Sequence, residues 1–491
     1  MRISSKTPGD VSDSLRRRTL RGVVWGFAER FSSQAIGFVV ILIMARLLTP
    51  ADYGLVGMLT IFIEIGGALA DSGFSSALIR QRDKTRSNTS TAFYFNLLTA
   101  CALYLLLWVL APHIARYYGE PTLLPLTRVI GLLIPINALS LVQRALLTSR
   151  LDFRRQTRVA IAAYSLSGIA GIYLAWSGLG VWAIVCYQLL SQGLYTLLLW
   201  MLGRWWPSLT FCWRDMKSMF GFGSRLTLAG MMDIAYRNAY LLVIGKAYSA
   251  SALGYFTRAQ QIGGFLSSNI SNVVQRAAYP SLCRYRESSG ECGRQFLGML
   301  SMSCFVVFPL MWALIALPGP TVMLLLGEKW MYAATLLPPL ALAFMWHPVQ
   351  SLNLQVLQVF GRSDLFLRVE ILKKIVGVSI LFLTVSWGLE AMCWGLVGSN
   401  GFALVCNSWY VKTLAGVGIP KQLQAVGPSF IAGGVAAGLA AIVSSAVSEV
   451  SPGAWWPMLA GLAAGAAAYF GWALISRRPE LRTLRTLTTH L

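Results

Sequence analysis

The sequence predicts an all-α polytopic membrane protein with about fourteen transmembrane helices, and three observations carry that prediction. Only 12% of its 491 residues are charged and 56% are hydrophobic, where a soluble domain carries roughly 25% charge. Mean hydropathy is +0.60, and the apolar residues fall in successive stretches near the ~20 residues that one bilayer crossing needs. Basic residues are concentrated in alternate connections between those stretches.

The predicted spans are 22–45, 53–79, 91–111, 122–143, 159–176, 179–202, 218–245, 252–280, 295–317, 331–360, 366–387, 390–411, 424–447 and 455–476. The first apolar run is too long for the core of a cleavable signal peptide, and the tail before it is polar and basic (Arg16, Arg17, Arg18, Arg21). An even number of crossings puts both termini on one side. Of the 41 Lys and Arg residues, 31 lie in the tails and loops of that side and four (Arg46, Arg116, Lys246, Lys329) on the other. By the positive-inside rule both tails are cytoplasmic. The net charge of +22 is spread over every cytoplasmic loop. It therefore points to anionic lipid head groups, at about 1 kcal/mol per basic residue near the surface, and not to nucleic acid. The eight cysteines lie in spans or cytoplasmic loops without a CxxC, which supports neither a disulfide framework nor a zinc site.

An internal repeat organises the chain. Arg46-Leu-Leu-Thr-Pro-Ala-Asp-Tyr-Gly54 closes the first span and opens the second, and Lys246-Ala-Tyr-Ser-Ala-Ser-Ala-Leu-Gly254 does the same for spans seven and eight. Six spans separate the copies, so they share one orientation and predict two parallel six-helix bundles with a cavity between them. The expected organisation is a basic cytoplasmic tail (1–21), an N-terminal bundle (22–203), a cytoplasmic linker (204–217), a C-terminal bundle (218–411), an appended Ala/Gly-rich helix pair (424–476) and a cytoplasmic C-terminal tail (477–491). External loops reach only about a dozen residues near 112–121 and 318–330, which leaves no room for an external catalytic domain.

Ionisable side chains cost roughly 2.5–3.5 kcal/mol each at the bilayer centre, so their positions are functional clues. They gather on the first two helices of each bundle. Span one has Glu29, Arg30 and Gln34; span two has Glu64 and Asp71; span seven has Arg225, Asp233 and Arg237 with Asn238. Span eight carries Arg258, Gln261, Asn269, Asn272 and Arg276, and residues 258, 261, 265, 268, 272 and 276 share one helical face. Asp233 and Arg237, one turn apart, are also placed to neutralise each other, and Arg225 and Arg276 lie where they can snorkel. Arginines on such faces suit an anionic group such as a pyrophosphate, which a guanidinium binds in bidentate fashion. The acidic residues would tune those arginines or carry a coupling ion.

Catalytic signatures are missing from the sequence: there is no GxxxxGK[ST], HExxH or GxSxG, and the three histidines (His113, His347, His490) are scattered. No cofactor or metal is expected, and the driving force would be an ion gradient, the membrane potential or the substrate gradient.

Two runs carry a family resemblance: Arg30-Phe-Ser-Ser-Gln-Ala-Ile-Gly-Phe38 with Ala45-Arg-Leu-Leu-Thr-Pro-Ala-Asp-Tyr-Gly-Leu55, and Leu253-Gly-Tyr-Phe-Thr-Arg-Ala-Gln-Gln261 with Asn269-Ile-Ser-Asn-Val-Val-Gln-Arg276 and Tyr279-Pro-Ser-Leu282. The chain resembles Wzx-type polysaccharide flippases, on the colanic-acid and exopolysaccharide branch of the superfamily that includes multidrug-and-toxin extruders and the lipid II flippase. The resemblance implies alternating access by two six-helix bundles that carry a polyprenyl-pyrophosphate oligosaccharide between leaflets. It implies that Arg30, Arg237 and Arg258 bind the head group, with polymerase and length-control proteins as partners. An ion-coupled drug or metabolite exporter shares the fold but ordinarily needs an acidic cavity. A membrane-embedded sugar polymerase is disfavoured by the short external loops.

Overall fold

Backbone in hydrocarbon has no water to bond, so a spanning segment must satisfy its own amides, and an apolar run therefore coils into a helix. The computed structural model describes residues 34–80, 85–203, 205–450 and 455–481, the side chains of Phe222, Arg225, Leu226, Ala229, Ala277, Ser289 and Val450 excepted. Among these residues the regular structure is entirely helical. Two compact units divide the chain between Gly254 and Tyr255.

The first unit runs through α1 (Gln34–Leu47), α2 (Pro50–Asp71), α3 (Phe74–Arg80), α4 (Arg86–Tyr118), α5 (Leu123–Ile130), α6 (Leu133–Ser149), α7 (Phe153–Trp176), α8 (Val181–Leu202) and α9 (Trp213–Ala247). The second holds most of α10 (Ala250–Arg284), then α11 (Ser289–Ala316), α12 (Pro318–Leu325), α13 (Tyr332–Met345), α14 (His347–Val359), α15 (Ser363–Thr384), α16 (Leu389–Ala415), α17 (Ile419–Val450) and α18 (Trp456–Ile475). Among the described residues, nine helices are long and apolar enough to cross a membrane. The two longest helices, α9 and α10 at 35 residues each, are not among them, because their charged and amide side chains lower the hydropathy.

Three predicted spans are each built from two helical segments. The 53–79 stretch breaks where Ser72 (φ 46°) and Gly73 (φ 72°) enter the left-handed region. The 122–143 stretch bends at Gly131–Leu132, and the 331–360 stretch turns at Trp346, just before Pro348 at the start of α14. Hydropathy averaged over a span does not register these breaks, since the longer runs on either side of each are apolar.

In the first unit the repeat motif explains itself. Thr49 caps α2: its Oγ1 accepts from the Asp52 amide at 3.3 Å and its own amide donates to the Asp52 carboxylate at 2.9 Å, a capping box with Pro50 next inside. The equivalent Ser249 caps α10, its Oγ accepting from the Ala252 amide at 3.1 Å. The two capped ends cross at van der Waals distance of backbone. A Cβ on Gly54 would lie 1.6 Å from the Ala250 carbonyl oxygen, and one on Gly254 would lie 1.9 Å from that of Pro50. Each copy of the motif thus supplies a glycine to the other copy's first helical residue. At its far end α2 meets α9 in the same way, because a Cβ on Gly223 would lie 2.1 Å from the Ser72 oxygen.

The expected linker is docked. Ser208 donates its amide to Ser90 Oγ at 2.9 Å, Trp205 Nε1 donates to Thr89 Oγ1 at 3.1 Å and the Cys212 amide donates to Thr91 Oγ1 at 3.0 Å. These three hydroxyl residues at the start of α4 are all buried.

In the second unit α11 packs against α13 and α17, and α17 pairs with α18. Gly461 and Gly465 of α18 lie against the α17 backbone at Ala440 and Ala436, at 2.5 Å and 2.9 Å from added Cβ positions. A buried polar triad ties α17 to the helices before it: Asn353 Nδ2 donates to Ser408 Oγ and to Gln422 Oε1, both at 3.1 Å. Tyr469 donates to the Phe305 carbonyl at 2.8 Å and fixes α18 on α11.

The crossing makes a specific prediction. Gly54→Ala and Gly254→Ala each destabilise by about 1–3 kcal/mol through overpacking, seen as a lowered thermal midpoint of the purified protein. Because both act on one contact, the double variant loses less than the sum of the singles. Gly298→Ala, where an added Cβ meets open space, leaves the midpoint unchanged or raises it.

Candidate functional site

The polar residues of α2, α9 and α10 meet three different fates. Glu64, in the middle of α2, accepts a hydrogen bond from Asn238 Nδ2 of α9 at 2.8 Å, while Asn238 also donates to the Ile234 carbonyl of its own helix. Asn238 is buried, so this carboxylate is held inside the first unit by a neutral donor. Asp71 serves the helix break: its Oδ1 accepts from the Ser75 amide at 3.1 Å and from Ser75 Oγ at 2.5 Å, capping α3. Both carboxylates lie one above the other along α2, yet neither is left unbonded.

Asp233 and Arg237 of α9 form an ion pair at 3.1 Å whose side chains are 50% and 61% exposed respectively. The sequence places them close to the middle of the predicted span 218–245, about 2 Å and about 8 Å from its centre at 1.5 Å per residue. Arg225 belongs to the backbone of the same helix, and its side chain lies outside the described residues, as do Glu29 and Arg30 altogether. Gln34 opens the described part of α1 with its Oε1 buried and without a hydrogen-bond partner.

On α10, Arg258 Nη1 donates to Gln261 Oε1 at 2.5 Å, joining the first two residues of the predicted face. Asn269 turns its amide back to the Phe265 carbonyl at 2.8 Å, Asn272 is half-buried and Arg276 is exposed. Helix α10 is fixed within the second unit, where Ser267 Oγ donates to the Phe344 carbonyl at 2.7 Å and Gln355 Nε2 donates to the Gln275 carbonyl at 2.9 Å. The structure therefore joins Glu64 to Asn238, Asp233 to Arg237 and Arg258 to Gln261. It leaves Asp71 and Asn269 in local roles.

Two polar features escaped the sequence reading. Asn96 of α4 is buried with both amide atoms lacking a hydrogen-bond partner, an arrangement costing about 1–3 kcal/mol unless something bonds it. A single amide in an apolar run gives no signal of its surroundings. Lys373 of α15 is mostly buried and pairs with Glu370. The i, i+3 spacing of those two residues was the available sign. Among the described residues no group of three or more His, Cys, Asp or Glu side chains is placed to hold a metal ion.

A family model described as polysaccharide biosynthesis protein matches residues 43–335, more than half of the chain. The chain belongs to this family. It is 26% identical over 479 residues to the teichuronic acid biosynthesis protein TuaB of Bacillus subtilis, covering 96% of this chain and 98% of that protein. It is 23% identical to the succinoglycan biosynthesis transport protein ExoT of Rhizobium meliloti, covering 94% of each. The lipopolysaccharide biosynthesis protein WzxC of Escherichia coli is 22% identical over 65% of each chain. Among solved structures, the lipid II flippase MurJ in an inward closed conformation superposes with a TM-score of 0.72 at 12% identity, over 93% of this chain and 99% of MurJ. An inward-facing multidrug resistance transporter of the MATE family gives 0.63 at 17% identity, over 80% and 98%. This family member is a multi-pass membrane protein with the MurJ and MATE fold.

The two kinds of polar contact separate on mutation. Asn238→Ala strips Glu64 of its donor and lowers stability by about 1–3 kcal/mol, whereas Glu64→Gln keeps an acceptor and loses less. Asp233→Asn and Arg237→Gln, both exposed, shift stability by less than about 1 kcal/mol. Thermal unfolding of the four purified variants distinguishes the two groups.

Proposed function

We propose that the chain moves polyprenyl-pyrophosphate-linked oligosaccharide repeat units from the cytoplasmic to the periplasmic leaflet of the inner membrane by alternating access. It would serve exopolysaccharide, capsule or O-antigen synthesis and catalyse no covalent step. The observation that carries this reading is the exposed Asp233–Arg237 pair near the middle of α9. Two charges facing lipid there would cost several kcal/mol, so the face that bears them meets water or a polar passenger. Family membership and the sugar-polymer pathways named for TuaB, ExoT and WzxC fit a saccharide passenger.

On this reading fourteen crossings form two six-helix bundles and a final pair, with both termini in the cytoplasm. Arg30, Arg237 and Arg258 bind the pyrophosphate, with Arg225 and Arg276 assisting nearer the cytoplasmic surface. Asp233 and Gln261 hold Arg237 and Arg258 extended until the phosphate takes their place, an exchange of one charge-assisted hydrogen bond for a stronger bidentate one. Glu29, Gln34, Glu64, Asp71, Asn269 and Asn272 supply the polar lining or the coupling ion. Polymerase and length-control proteins receive the product. A cation-coupled exporter on the same fold is the second reading, and the Glu64 carboxylate is what favours it.

Proteoliposomes loaded with fluorescent lipid-linked oligosaccharide test the proposal. Arg30→Ala, Arg237→Ala and Arg258→Ala each lower the flipping rate by about tenfold or more, the loss of one charged hydrogen bond. Unchanged rates in all three variants would remove the cationic site. Export of organic cations without any flipping would replace the reading with the second one.

A further inference from the structure

Leu151 stands at the tip of the α6–α7 hairpin with φ 56°, in the left-handed region that a leucine rarely enters. The turn around it is a Schellman closure of α6: the Asp152 amide donates to the Leu147 carbonyl and the Leu151 amide to that of Thr148, both at 3.0 Å. The second unit builds the same turn at the end of α14. There the Arg362 amide donates to the Leu357 carbonyl and the Gly361 amide to that of Gln358, both at 3.0 Å. Gly361 holds the left-handed position, with φ 70° and open space where a Cβ would stand. Glycine serves there for its backbone alone. The chain thus makes one turn twice, once with the residue that fits it and once with a leucine that does not.

The leucine is neither compensated nor hidden. Ser72, also left-handed, donates its Oγ to the Leu69 carbonyl at 2.6 Å, whereas leucine has no group to offer, and Leu151 is 44% exposed. Its neighbours impose the shape. Gln156 Nε2 donates to the Arg144 carbonyl at 3.2 Å and to Thr148 Oγ1 at 3.0 Å, and Asp152 caps α7 by accepting from the Arg155 amide at 3.3 Å. A strained residue persists where its surroundings over-determine it, and such residues gather at sites that bind. Charge also separates the two turns. Residues 144–158 carry five arginines against Asp152, a net +4, and Arg144, Arg150, Arg154 and Arg158 are exposed. The equivalent stretch 354–368 carries Arg362 and Arg368 against Asp364, a net +1.

Helix α6 continues to Ser149, past the end of the predicted span at Gln143, which carries the turn about 9 Å beyond the hydrocarbon at 1.5 Å per residue. The head-group layer on one face is about 5–8 Å deep, so the leucine does not reach acyl chains. Lipid phosphates would satisfy the arginines and leave the leucine in water. An acidic protein surface with an apolar pocket satisfies both. We propose that this hairpin is a docking site for a cytoplasmic protein that presents such a pocket rimmed by carboxylates. The proposal rests on the orientation and transport reading given above.

Four measurements test this site: thermal unfolding of the purified protein, flipping in proteoliposomes that hold no other protein, polymer yield in the native host, and photo-crosslinking there. Leu151→Gly leaves the thermal midpoint unchanged or raises it, because relief of the backbone offsets lost packing, and it flips at the wild-type rate. In the host it lowers polymer yield about tenfold, as loss of one interface anchor would. Leu151→Met, which keeps the apolar reach, restores the yield, and Arg150→Glu with Arg158→Glu lowers it again. A photo-crosslinking residue at 151 captures a protein, that capture is lost in the charge-reversed variant, and the same residue at 361 captures none. Adducts to phospholipid alone at 151, or wild-type polymer yield in both Leu151→Gly and the charge-reversed variant, would overturn the proposal. So would failure of Leu151→Gly to flip in proteoliposomes, which would place the leucine in the transport cycle itself. Crosslinking needs no transport, so it decides the docking site even if wild-type proteoliposomes do not flip the lipid.

Discussion

A polar group buried in hydrocarbon has to be bonded by protein or met by water, and that constraint sorts the side chains of this molecule. Asp71 is bonded locally, by the helix start it caps. Glu64 is bonded at a distance, by Asn238 on another helix. Asp233 and Arg237 bond each other and still present half or more of their surface. The three cases look alike as letters in a sequence. They differ in whether the charge has any surface left over.

The same solvent removes the force that holds soluble bundles together, because lipid is as apolar as leucine. What remains is close packing and a few polar latches, and both are visible. Glycines bring α2 onto α9 at Gly223 and α18 onto α17 at Gly461 and Gly465. The Asn353–Ser408–Gln422 triad anchors α17, and the hydroxyls of Thr89, Ser90 and Thr91 anchor the segment before α9. Each latch sits where a short polar run interrupts the apolar pattern.

That difference sets what the sequence could tell. Nine helices were legible as membrane-crossing segments among the described residues because one property, hydropathy, decides them, and the repeat was legible because caps and glycines recur at a fixed offset. The breaks at Ser72–Gly73, Gly131–Leu132 and Trp346 were not, since a bent helix and a straight one bury the same side chains. The docking of 205–212 was missed because the serines and threonines that hold it read as an ordinary loop edge. For the candidate site, the polar residues were identifiable from their cost in lipid and the Asp233–Arg237 pair from its one-turn spacing, but partners on other helices were not. Asn238 as the donor to Glu64 depends on a rotation between helices that composition does not encode.

The reciprocal crossing of the two repeat copies also says which positions of the motif are fixed by geometry. Most positions in a lipid-facing helix tolerate exchange among apolar residues, so letters drift quickly. A residue whose Cβ would fall within 2 Å of a carbonyl oxygen has no such latitude, and neither has the hydroxyl that caps the helix beside it. The repeat is therefore written as an interval, a cap and a glycine five residues on, rather than as letters shared along the whole helix. A search that averages substitution scores along the chain would dilute this interval, whereas one that asks only for its spacing would find it.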